Sequence, residues 1–111
     1  MVELPVIVSI LGQLYEVSES TEDKDVNLKE TSGYCDWTTH KIVLCKCEDY
    51  TVGNIDAYRD KVLRHEIIHA FLMESGLHEA ATFDDVHFEQ MVDWTAIQFY
   101  KMFAVFKELG I

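Results

Sequence analysis

The chain has 111 residues, of which 49% are hydrophobic and 26% charged, a composition that suits one globular domain with a modest core. Nine basic against twenty acidic residues give a net charge of −11. No basic surface is left to displace counterions from a phosphate backbone, which argues against DNA or RNA as a direct partner. A bilayer span needs about 18 consecutive apolar residues, and no run comes near that length.

Residues 4–18, rich in Val, Ile, Leu and Tyr, predict one or two strands with a bend at Gly12. The apolar start is short and lacks a basic leader region, so it is expected to be a strand and not a signal peptide. Residues 19–31 are polar and acidic, a loop with a short ordered piece around Val26–Leu28. Tyr34 to Trp37 and Lys41 to Cys45 predict a hairpin joined through Thr38–Lys41. A loop follows, and Asn54 or Asp56 is expected to cap a helix from about Asp56 to Glu74, stopped by Ser75-Gly76. Residues 77–83 read as a loop, with Asp84 or Asp85 capping a last helix that runs to about Leu109. Its core stripe is Val92, Ala96, Phe99, Phe103 and Phe106, spaced by fours and threes. The whole predicts an α+β fold over residues 1–111, with a small, mainly antiparallel sheet of about three strands packed on the two helices.

Within the first helix lies His65-Glu66-Ile67-Ile68-His69, an H-E-x-x-H string. Residues four apart share a helical face, so both imidazoles can reach one cation. Neutral imidazole suits Zn²⁺, and two such ligands leave room for a third. Glu66 follows the first histidine directly, which leaves its carboxylate to act as general base on a water instead of ligating the metal. A metzincin pattern would need Gly and His where Leu72 and Ser75 stand. Glu74 points away from both histidines by helical geometry. The remaining third-ligand candidates are His78, His87 and Glu89. Glu89 continues the Val92–Ala96–Phe99 stripe backwards, where a carboxylate would need a partner such as a cation held by the facing helix. Asp93, one turn on, is placed to accept the outer N–H of a ligating histidine, or to be a solvated acid beside the core. Cys35, Cys45 and Cys47 lack the spacing of a structural zinc site and are expected to be small buried or edge side chains. Their odd number fits a reducing compartment, and a cytoplasmic location is expected.

The pairing of "HEIIH" with Glu89 twenty residues after His69, and Asp93 four further on, resembles the gluzincin branch of zinc metallopeptidases. The element order also looks like the compact ImmA/IrrE-type and SprT-like zincins. "GYCDWTTHKIVL", "LRHEIIHAFLMESGL" and "FEQMVDWTAIQF" together are similar to small zincin-like proteins of bacteriophages and prophages. The resemblance covers about residues 33–99. It implies zinc ligation by His65, His69 and Glu89, support from Asp93, and a protein or peptide substrate cleaved with Glu66 as base. It further implies a substrate added as a strand along an edge at residues 41–47, and a host-cell cytoplasmic setting for a phage protein. An oxyanion-stabilising group is sought among Tyr34, His40, His87 and Tyr100. The alternative is a catalytically silent, zinc-stabilised protein-binding module of phage origin.

Overall fold

Two hairpins make the sheet in a computed structural model that describes residues 2–46, 51–80 and 85–111. Strands β1 (Val6–Ile10) and β2 (Gln13–Ser20) are antiparallel, as are β3 (Gly33–Asp36) and β4 (Lys41–Cys45). The hairpins join side by side through a parallel pairing of β2 with β4, which gives the order β1-β2-β4-β3. The bend expected at Gly12 is the two-residue turn Leu11-Gly12, where both residues have positive φ (51° and 85°). That conformation matches the twist of the flanking strands, and glycine adopts it without cost. The fold is α+β as expected, with four strands in place of about three because the 4–18 segment turns back on itself.

One expectation is corrected by the sheet order. β4, which makes up residues 41–45 of the expected substrate edge, pairs on both sides and is interior, while β3 is the edge. Ile42, Val43, Leu44 and Cys45 are all buried, which is how a strand covered on both faces reads. Cys47, the end of that expected edge, lies outside the described residues, as does Asp84.

Helix α1 (Ile55–Glu74) starts at Asn54, whose side chain accepts from the Ala57 N–H at 3.0 Å, so Asn54 and not Asp56 is the cap. It lies against the sheet face formed by Ile10, Tyr15, Val17, Ile42 and Leu44, to which it adds Val62 and Ala70. The other face of the sheet is covered by a short 3-10 turn at Val26–Leu28, whose Leu28 packs on Val43 and Cys45. Residues 77–80, expected as loop, form a short helix, α2 (Leu77–Ala80). Helix α3 (Asp85–Leu109) packs on α1, with Phe88, Val92 and Ala96 buried. None of the helices is long and apolar enough to cross a membrane among the described residues.

Candidate metal centre

The position of α1 between sheet and α3 divides its side chains. Val62, Glu66 and Ala70, four apart, turn inward and are buried. His65 and His69 lie on the adjacent line and face α3, which brings Glu89 to them from its first turns. His65 Nε2 is 3.0 Å from Glu89 Oε2, His69 Nε2 is 2.8 Å from Glu89 Oε1, and the two Nε2 atoms are 3.2 Å apart. A tetrahedral Zn²⁺ with bonds of about 2.0 Å sets its ligand atoms about 3.3 Å apart. The two imidazole nitrogens stand at about that separation, and Glu89 reaches each ring with a different carboxylate oxygen. His65, His69 and Glu89 are the group of donors that could hold a metal ion among the described residues, with ligand atoms all within 4.8 Å of one another.

Burial pushes the His69 pKa down and the His65 ring pushes it the same way, against the raising effect of Glu89. A neutral ring with a lone pair to offer is the form a metal requires. His65 Nδ1 faces Asp93 Oδ1 at 3.4 Å, and the same oxygen accepts from Lys61 Nζ at 2.6 Å. Lys61 above all holds the Asp93 carboxyl below the usual carboxylate range, so it stays ionised beside the histidine. Lys61 lies four residues before His65 and so on the same helical face, but its partner comes from α3, a contact that no local spacing marks.

Glu66 is buried, only 7% exposed. Burial, and secondarily the charge of Glu89, pushes its carboxyl up to about 7. No cation among the described residues forms an ion pair with it. Beside it opens a cleft of about 370 Å³ lined by Gly33, Tyr34 and Cys35 of β3, by His65, Glu66 and His69, and by His78 and Glu89. Edge strand and donor cluster thus share one cavity.

The other expected residues divide clearly. His78 lines this cleft beside Phe88, at a ring separation of 4.8 Å, but is not one of the clustered donors. His87 is exposed on α3. Glu74 points to the sheet, where the Tyr15 hydroxyl donates to it at 2.6 Å. Of the groups considered for oxyanion stabilisation, Tyr34 is in the cleft with its hydroxyl donated to Asp25 at 2.6 Å. His40 packs on Tyr15, and Tyr100 lies under the Arg64 guanidinium. Cys45 is buried as expected, and Cys35 is half-buried in the cleft wall with its thiol pushed up to about 12, chiefly by burial, a poor nucleophile at neutral pH. No protein-family model, curated protein or solved structure matches the chain.

Proposed function

We propose that the protein is a zinc-dependent, metallopeptidase-like hydrolase that cleaves a peptide or amide bond. The observation that carries this reading is the convergence of His65, His69 and Glu89 on one point, with a buried carboxylate, Glu66, beside it in the same cleft. Two imidazoles and a carboxylate form a donor set suited to Zn²⁺. When bound, the ion would polarise the scissile carbonyl and lower the pKa of water at the site.

The protein's own groups do the rest. Glu66 accepts the proton of the attacking water and returns it to the leaving amine, a task that asks for a carboxyl titrating near neutrality. Asp93 holds the His65 ring with Nδ1–H outward and Nε2 toward the metal, and Lys61 keeps Asp93 charged for that purpose. An extended peptide would add to β3, whose outer edge has no strand partner among the described residues and whose Gly33, Tyr34 and Cys35 line the cleft. Glu66→Gln is expected to keep one zinc per chain and to abolish cleavage of a peptide library that the unaltered chain hydrolyses. Full activity in that variant would refute the assignment of the base.

The commitment of the Tyr34 hydroxyl to Asp25 favours a second reading, a zinc-stabilised binding module without turnover. In that case the unaltered protein cleaves no library, while zinc removal still lowers its melting temperature and releases its partner.

A further inference from the structure

Helix α3 changes its surroundings halfway along. Val92 and Ala96 are fully buried against α1, yet Phe99 is 58%, Phe103 56% and Phe106 41% exposed. These five residues form one stripe with alternating spacings of four and three, the repeat by which a helix presents a continuous seam to a partner. The seam therefore outlasts its intramolecular partner. Met102 and Leu109, also exposed, widen it on one side. On that side the stripe runs into an apolar groove of about 410 Å³ between α1 and α3, walled by Ile68, Phe71, Leu72 and Phe99.

We infer that a second copy of the chain covers this face, forming a two-fold dimer in which each overhanging end of α3 lies on the other's groove. Three observations choose that occupant. The patch holds both a ridge and a groove, so a contact related by a two-fold axis satisfies both at once. Charge points the same way: in a chain of net charge −11, residues 94–106 carry a single charged side chain, Lys101, so two copies meet where repulsion is least. The area is also adequate. Phe71, Phe99, Met102, Phe103, Phe106 and Leu109 leave roughly 600 Å² of side chain to water per copy, and groove walls and backbone bring this toward the ~800 Å² per partner of a standard interface. A monomer that kept this patch in water would stand at the top of the range for such surfaces. The metal-binding cluster sits at the other end of α3 and is independent of this contact.

The test is sedimentation velocity of the full chain from micromolar to submillimolar concentration, compared with Phe103→Glu/Phe106→Glu. The unaltered protein should run at twice the chain mass, and the double variant as a monomer whose self-association is weakened by about 100-fold or more. Circular dichroism and zinc content unchanged from the parent show that the variant is folded. Should it prove unfolded, Leu109→Glu, beyond the buried part of the stripe, reads the same loss. A parent chain that stays monomeric throughout overturns the inference, whether or not it binds lipid vesicles or another protein. A dimer that survives in the folded variants overturns it equally.

Discussion

Each residue in and beside the His65–His69–Glu89 cluster takes its character from what surrounds it. Glu66 is the clearest case: its carboxyl is raised to about 7 because the sheet buries it and Glu89 faces it. In the metal-free protein the unfolded chain then loses this proton near pH 4.3, while the folded chain holds it to about 7. Between those values the folded state binds more protons, so its stability falls as pH rises, by an amount on the order of 3 kcal/mol once both states are ionised. The melting temperature of metal-free Glu66→Gln, measured against the parent, should therefore gain steadily from pH 5 to about 7.5; a pH-independent difference would contradict the burial of a titrating carboxyl. Asp93→Asn removes the charge facing His65 Nδ1 and should weaken zinc binding 10–100-fold without altering the fold, as read by calorimetry. The clustering of His65, His69 and Glu89 was legible in the sequence because the i, i+4 spacing and the helical stripe are both local periodicities. The burial of Glu66 was not, since it depends on which line of α1 meets the sheet. The Lys61–Asp93 pair was not either, since it depends on how α1 and α3 cross.

The elements set the site by placing edge strand, helix and helix around one cleft. Gly33 is the closest approach: a Cβ there would meet the Val43 carbonyl oxygen at 3.0 Å and Val62 Cγ1 at 3.2 Å. The absence of a side chain lets β3 lie flat on α1 and keeps the cleft wall where it is. Gly33→Ala should cost about 1–3 kcal/mol and lower the melting temperature accordingly; an unchanged midpoint in thermal unfolding would show that the strand has room to move. Local patterning predicted the second hairpin, the bend at Gly12 that closes the first, the Asn54 cap region and both long helices within a residue or two. Strand order was the part that patterning left open. Residues 42–45 are apolar without alternation, a sign of a strand buried on both faces, whereas β3 carries Asp36 and Gly33 at its ends as edge strands do. The parallel pairing of β2 with β4 is a contact between distant segments, and no local pattern encodes it.

At the scale of the molecule, the His65–His69–Glu89 cluster is a seam between α1 and α3. α3 meets the rest of the fold chiefly through α1, held there by Phe88, Val92 and Ala96 and by the Arg64 Nε–H donated to the Ala96 carbonyl at 2.7 Å. An ion held by His65 and His69 of α1 and Glu89 of α3 would cross-link the two helices, so its removal should loosen α3 before the sheet. A ligand that binds only the folded state adds about 2.7 kcal/mol when present at a hundredfold excess over its dissociation constant. Chelation should accordingly lower the melting temperature by several degrees and expose the α3 amides first in hydrogen exchange; uniform exchange would argue against the seam. The most direct test is calorimetric titration of metal-free protein with Zn²⁺. One ion per chain is expected for the parent and for Glu66→Gln, with binding lost or greatly weakened in Glu89→Ala. No saturable binding to the parent, or undiminished affinity in Glu89→Ala, would contradict a metal centre built from His65, His69 and Glu89.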